Sequence, residues 1–514
     1  MQHSRDVSAL PGRKAGVCMH LTSLPGDHGI GEIGESALRF VDLLASMNMS
    51  VWQFLPTGPT GYADSPYQEF STYAGNELLI DCNDLIGRGF LSPDAVTPLK
   101  RLPLRSVAFG KLTPIKHAFL RRATAAFETR ADAVSKAEFD EFVEENDETW
   151  LHHYALFRTL KDRHDGKPWP EWQQDFVRRR RAAISRLENS ARSEIRYWKI
   201  CQFFFARQWK TLRRHASDNR VRLFGDMPMY IALDSADAWT NPEILCIDRA
   251  GKARYVAGVP PDYFSRSGQL WGNPVYDWSR QAEDGFAWWI ARLRHAVSRF
   301  DIVRIDHFRG FDSYWAVPAR SRSAKRGRWR TGPRHAVLDA FYDAMPGAPI
   351  VAEDLGMVTP QVEALRKHYG IPGMKVLQFE VTEKDFDIGD IPEHCVCYTG
   401  THDNDTTRGW FDAGCGARDR KQEIRNAKKR VLAATGGTAR TIAIDLVRLA
   451  FQSKARLAVV PMQDLLGLGT WARLNTPGRR DNNWRWRVSA KQLTTKLRDI
   501  VSKLAETTER GRDA

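Results

Sequence analysis

The sequence predicts an α/β fold, a (β/α)8 barrel of the TIM type with inserted helical and loop subdomains. Three observations carry that expectation. Eight short apolar runs recur along the chain, most of them end in a polar or charged residue, and helical patterns lie between them. Continuous apolar runs, as opposed to alternating ones, mark strands covered on both faces. At 514 residues the chain could hold about three ordinary domains, but single α/β barrels also run long.

The elements follow in order. The run Gly16–Leu21 (GVCMHL) precedes Glu32–Met47, whose apolar residues recur at helical spacing. Next comes Val51–Pro56 (VWQFLP). The third run, Arg222–Ile231 (RLFGDMPMYI), lies far beyond the reach of a single connecting helix. The intervening chain is expected to hold a loop subdomain at about 57–108. A helical subdomain at 109–214 follows, charged and Trp-containing. The interval 234–279, rich in Gly, Pro and aromatic residues, reads as long ordered loops. Asp284–Ser298 is helical in pattern and leads into Asp301–Phe308 (DIVRIDHF). After Pro349–Leu355 (PIVAEDL), Thr359–Tyr369 opens with Thr-Pro, a good helix start. The last three runs are Met374–Glu380 (MKVLQFE), Cys395–Asp403 (CVCYTGTHD) and Leu457–Leu465 (LAVVPMQDL). No repeat of 20–50 residues is visible, which argues against solenoids and propellers.

Composition narrows the classes. Apolar residues at 42% and charged residues at 27% exclude collagenous, disordered and coiled-coil chains. No window reaches the ~18 apolar residues of a membrane span, and residues 1–16 lack the apolar core of an export signal. The 7 cysteines form no CxxC pair and no zinc-spaced cluster, which points to reduced thiols in a cytoplasmic protein. The net charge of +14 is spread along the chain, with local runs only at Arg178–Arg181 and Arg320–Arg330. It therefore reads as a solvated basic surface, not a nucleic-acid site. The 17 Trp offer flat faces suited to sugar rings, although packing in the core is the commoner use of such residues.

Active sites of such barrels sit at the C-terminal ends of the strands. Four proposed strands deliver an acid there: Asp226, Asp306, Glu353 and Asp403. Acids at the mouth of an apolar strand are costly unless solvated or paired. Helix capping, or pairing with Arg304, Arg309 or Arg408, could account for one of them. Four at equivalent depth, with His307 and His402 beside two, point to an acid–base site. Glycoside cleavage uses several carboxylates: one attacks the anomeric carbon, a second protonates the departing oxygen, and a third stabilises the positive transition state. Retention of configuration needs the first two roughly 5–5.5 Å apart, which neighbouring strands about 4.8 Å apart can supply. Asp306 and Glu353 stand one βα unit apart. No HExxH, EF-hand loop or Cys/His cluster appears, so catalysis is expected to need no metal and no cofactor.

Here the sequence resembles a known family. DIVRIDHFRGF is similar to the nucleophile motif of the α-amylase superfamily, VAEDLG to its acid/base motif, and YTGTHDNDT to its third-carboxylate motif. LPTGPTGYADSPYQEFSTYAGN, GDMPMYIALDSADAW, VAGVPPDYFSRSGQLWGNPVYDW and GIPGMKVLQFE resemble the 4-α-glucanotransferases, the amylomaltases or disproportionating enzymes of glycoside hydrolase family 77. The likeness runs from about His20 to Arg487. It implies Asp306 as nucleophile, Glu353 as general acid/base and Asp403 as transition-state stabiliser. It further implies that Arg304 holds Asp306 ionised through an opposite charge, and that His307 and His402 bond sugar hydroxyls. Tyr67 would stack on the donor ring with Asp226 binding hydroxyls near it, and Trp271 would form part of the acceptor side. Tyr62 would belong to a second glucan-binding groove. Residue chemistry alone leaves loop packing equally open for Tyr62 and Trp271.

The resemblance implies α-1,4-glucans, maltooligosaccharides and glucose as partners, with no nucleic acid and no membrane, in cytoplasmic maltose or glycogen metabolism. The segment Val256–Pro274, with Tyr263, Phe264 and Trp271, is expected to supply lid and acceptor loops. The preference for transfer over an α-1,4-glucan hydrolase comes from the resemblance; residue chemistry leaves both open. A non-catalytic glucan-binding module would not need three strand-end acids. The chain departs from the family pattern at Trp471, and at Asn482 or Asn483 where relatives often carry Gly.

Overall fold

In the computed structural model, which describes residues 10, 12–261, 267–417 and 421–511, each of the eight apolar runs contributes one strand to a single parallel sheet. The strands are β1 (Lys14–Cys18), β2 (Val51–Gln53), β3 (Arg222–Met227), β4 (Ile302–Ile305), β5 (Ile350–Ala352), β6 (Gly373–Val376), β7 (Cys395–Tyr398) and β8 (Leu457–Pro461). Ladders run without a break from β6 through β7, β8, β1, β2, β3 and β4 to β5. The seam between β5 and β6 is drawn together by single bonds. Ala352 N–H donates to Pro372 O at 2.8 Å, and Met374 N–H donates to the Asp354 carboxylate at 2.7 Å. The result is the nearly closed (β/α)8 barrel that the sequence predicts.

Both faces of every strand are buried, which is why the runs read as continuous. One apolar cluster draws Cys18, Val51, Phe224, Ile302, Val351, Val376, Val396, Tyr398 and Val459 from all eight strands and fills the interior. The alternate residues, among them Val17, Trp52, Leu223, Val303, Ile350, Cys397 and Val460, belong to the outer cluster that packs under the helices. At Gly16 a Cβ would lie 2.7 Å from Val51 of the neighbouring strand, so the β1–β2 approach requires glycine.

Every run extends past its strand, and two of them pass directly into helix. LQFE (Leu377–Glu380) and MQDL (Met462–Leu465) turn into short helices after β6 and β8. Four residues span barely one helical turn, too short for periodicity to separate helix from strand, and Met462–Leu465 is buried throughout. The expected barrel helices form at Glu35–Ser46, Ala287–Arg299 and Pro360–His368, the last capped by Thr359 accepting from Val362 N–H.

Between β2 and β3 lie the long helices Phe109–Arg130, Ala133–Asn146, His152–Arg163, Arg181–Ser190 and Arg192–Asp218. The 27-residue last one buries Ile195, Trp198, Cys201, Phe205, Trp209, Leu212 and Ala216 along one stripe before the chain enters β3. The interval 234–279, expected as loops, supplies two strands instead. Tyr255–Val259 and Gln269–Pro274 join Ser313–Pro318 and Arg328–Thr331 in an antiparallel sheet. Its partners arrive from beyond β4, and nothing local in a Gly-rich stretch announces them.

Most tryptophans pack in the core: Trp52, Trp169, Trp198, Trp239 and Trp289 are fully buried, while Trp329 and Trp471 are exposed. All 7 cysteines are unpaired thiols. Among the described residues, no helix is long and apolar enough to cross a membrane.

Candidate active site

The register of β3 against β4 sets Asp226 opposite Arg304. The buried Arg304 guanidinium donates from Nη1 to both Asp226 oxygens, at 2.7 and 2.6 Å, and from Nη2 to Asp306 Oδ1 at 2.8 Å. Burial works against the Arg304 charge, but Asp226 and Asp306 overcome that and raise its pKa well above the usual value. Tyr67 completes the Asp226 shell, donating its O–H to Oδ2 at 2.6 Å. Burial, and then the Asp226 charge, keeps that phenol protonated.

One strand further, Glu353 N–H donates to Ile305 O at 3.0 Å, so Asp306 and Glu353 follow the last β4–β5 rung side by side. Immediately after Asp306, His307 adopts φ 51°, a left-handed turn that costs energy outside glycine. The turn aims His307 N–H at Glu353 Oε2 (2.7 Å), while Leu355 N–H reaches Oε1 (2.9 Å). Burial and then the Asp306 charge push the Glu353 carboxyl up to about 7, against the opposing pull of Arg304 and these two amides. His307 is held edge-to-face against Trp271, ring centroids 4.8 Å apart. Burial lowers its pKa to about 4, so its imidazole is neutral at pH 7.

The third carboxylate comes from the loop after β7, past the strand end at Tyr398, so it is not at the depth of the other acids. Asp403 has a side chain 48% exposed, with His402 Nε2 at 3.4 Å from Oδ1. Asn475 Nδ2 donates to the same oxygen at 2.5 Å. His402 in turn stacks on Tyr67, with centroids 5.2 Å apart and 18° between planes. Trp484, held at φ 64°, lies 6.1 Å from both of those rings. Asn482 also sits in the left-handed region (φ 65°), a conformation that favours glycine.

Contacts therefore link Tyr67, Asp226, Arg304, Asp306, His307, Trp271, Glu353, His402 and Asp403 into one group at the barrel mouth. Tyr62 stands outside it: the side chain is 61% exposed and faces Arg480, whose guanidinium carbon is 5.7 Å from the ring centre. Tyr263 and Phe264 lie outside the described residues. Arg309 and Arg408, the other pairing partners weighed for the acids, turn elsewhere, to Met357 O and Asp412. Sequence reasoning missed Asn475, Arg473 and Trp484, which come from the loop after β8. It also missed Gln68, which donates to Asn273 at 2.9 Å and ties the SPYQ turn to the antiparallel sheet. Only Gln68 carried a signal, its place inside a quoted motif.

One group among the described residues has metal-ligand spacing, His28, Glu32 and Cys82, and it includes none of these acids. The Lys116 ammonium occupies two of its three members, bonding Glu32 and Cys82 Sγ (3.1 Å) as well as Ile80 O at 2.6 Å. A cation site already filled by an internal ammonium does not fit a metal ion.

A carboxylate gripped by a guanidinium stands beside a carboxyl raised toward neutrality, and a third acid, two imidazoles and a phenol belong to the same contact group. Such a set is equipped for acid-assisted displacement at a sugar carbon. The comparisons agree. The family model described as 4-alpha-glucanotransferase matches residues 19–494. The 4-alpha-glucanotransferase of Synechocystis sp. is 42% identical over 503 residues, covering 96% of this chain and 97% of its own. That of Thermus thermophilus is 41% identical, covering 97% and 99%. The solved amylomaltase of Streptococcus agalactiae in complex with acarbose superposes with a TM-score of 0.92. It is 33% identical and covers 97% of this chain and all of its own.

Proposed function

The chain belongs to the 4-alpha-glucanotransferase family, and from that premise we propose how its carboxylates share a retaining double displacement. It is a glycosyl-transferring enzyme acting on α-glucans. Asp306 attacks the anomeric carbon of an α-1,4-linked donor, while Glu353 gives its proton to the departing 4-oxygen. The glucan is left bonded to Asp306 with inverted configuration. Glu353, now ionised, takes the proton from the 4-hydroxyl of an incoming glucose or maltooligosaccharide. That oxygen displaces Asp306 and restores the α-linkage.

Asp403 lowers the positive transition state electrostatically. Arg304 fixes Asp306 and Asp226 in their bonding positions. Tyr67 presents its ring to the donor sugar, and Asp226 accepts from hydroxyls near it. His402 and the neutral His307 imidazole bond further sugar hydroxyls. Trp271 borders the acceptor, and Tyr62 belongs to a separate glucan-binding surface. The enzyme is read as one catalytic barrel carrying insertions at about 57–108, 109–214 and 234–279, working in the cytoplasm.

The observation that carries this reading is the pairing of Asp306 and Glu353 in one register with unequal surroundings. One faces a buried guanidinium, and the other is pushed up to about 7. Pure maltotriose is the test. Transfer yields glucose together with maltopentaose and longer chains; glucose and maltose with nothing longer would make the protein a hydrolase.

The Glu353 environment also sets the pH response. A general acid works only while protonated, so kcat/KM on maltotriose is expected to fall as pH rises through about 7. In Glu353→Gln that alkaline limb should vanish along with most activity on maltotriose, by about 10²–10⁴-fold. Maltosyl fluoride, whose leaving group needs no proton, should still burst once per enzyme. An unchanged alkaline limb in the variant would assign the proton to another group.

A further inference from the structure

Asp403 poses a positioning problem that its own strand does not solve. The carboxylate follows β7 on an exposed loop, and an exposed Asp is free to change rotamer. A group that stabilises charge in a transition state must be oriented before the charge develops. From its own turn, the Asp403 main chain gains only a 3.3 Å bond from its N–H to Thr401 Oγ1.

The remaining contacts come from a separate part of the chain. Asn475 Nδ2 donates to Asp403 Oδ1 at 2.5 Å, and Asn475 N–H donates to His402 O at 3.2 Å. Arg473 closes the bracket, donating from Nη2 to Asp403 O at 2.6 Å and from Nε to Asn475 O at 2.7 Å. The bracket is itself tied down. Trp484 N–H donates to Leu474 O at 2.7 Å, and the Asn483 side chain bonds the main chain at Thr476 and Arg479. A carboxylate can only accept, so the amide must turn its N–H toward Asp403.

We infer that Asn475 is a positioning residue for this reaction: with Arg473 behind it, its amide holds the Asp403 carboxylate in the orientation the transition state requires. This rests on the role proposed for Asp403. The groups facing that carboxylate are Asn475 and His402; Arg473 meets only its carbonyl, and the Tyr67 phenol lies near enough to feel its charge.

Asn475→Ala is expected to lower kcat on maltotriose on the order of 10²-fold at every pH, with KM nearly unchanged. Asn475→Asp gives the distinguishing readout. Two carboxyl groups at this distance share a proton, and the pKa of the pair rises. While the pair holds its proton, the introduced carboxyl can donate as the amide does, and activity is retained. As pH rises and both ionise, repulsion displaces Asp403 and activity falls to the level of Asn475→Ala. Wild-type kinetics for Asn475→Ala, or equal loss at all pH values for both variants, would overturn the inference. Asp403→Ala is the control: if it retains full activity the role of Asp403 is wrong, whereas an inactive Asp403→Ala beside an unaffected Asn475→Ala removes Asn475 alone. Thermal unfolding of each variant accompanies the rates, and the pH dependence of Asn475→Asp is read within one protein whatever its stability.

Discussion

Asp306→Ala is expected to abolish turnover of maltotriose, by at least about 10⁴-fold in kcat, while the barrel remains folded. Without the carboxylate there is no nucleophile to hold the glucan between donor and acceptor, and the remaining acid and stabiliser act on a displacement that does not start. The fold should survive because the Asp306 side chain is 30% exposed and Arg304 keeps both bonds to Asp226. Circular dichroism and thermal unfolding check the second half, chromatography of maltotriose digests the first. Turnover within tenfold of the parent would remove Asp306 from the mechanism. The variant also reports on Glu353. With the Asp306 charge gone, that carboxyl should titrate lower than about 7, though burial, the larger cause, keeps it raised. Carbon NMR of a labelled Glu353 side chain measures it.

Arg304→Leu is expected to damage both stability and catalysis. The Asp226 side chain is 1% exposed and takes both Nη1 bonds; removing the guanidinium strands a buried carboxylate, at a cost of about 3–5 kcal/mol. The pH dependence has a definite sign. Asp226 is already raised above the usual carboxylate range by burial, against the pull of Arg304. Losing Arg304 raises it further above its unfolded value. A carboxyl shifted upward binds more protons folded than unfolded, so stability is greatest at low pH and falls as pH rises through the folded pKa. Urea unfolding at several pH values should therefore show the Arg304→Leu deficit growing from acid toward neutral. Arg304→Lys, which keeps the charge but loses the fork, should recover part of the stability and little of the activity. A deficit independent of pH would mean that Asp226 is not the group left unpaired.

These expectations draw on features of unequal visibility. Asp226, Asp306, Glu353 and Asp403 were legible because each stands in or just beyond an apolar run, and a charge in that place demands a reason. Arg304 was legible as a partner of Asp306, two residues away. Its two bonds to Asp226 were not, because they depend on the register of β3 against β4. Leu377–Glu380 and Met462–Leu465 looked like strand because each is a four-residue continuation of an apolar run, too short to show the periodicity that separates helix from strand.

The order of the elements, the acids at the strand mouths and the family likeness belong to the chain itself, since each is written in neighbouring residues whose spacing follows from local backbone geometry. Tertiary structure alone decided that Asn475 meets Asp403 across 72 residues, that the stretch before Trp271 pairs into a sheet with strands beyond β4, and that Tyr62 stands apart from the acids. Such contacts are made by surfaces that become neighbours only when the barrel closes. Their hydrogen bonds carry no period and no motif, and one amide in a polar loop looks like any other until a carboxylate is brought against it.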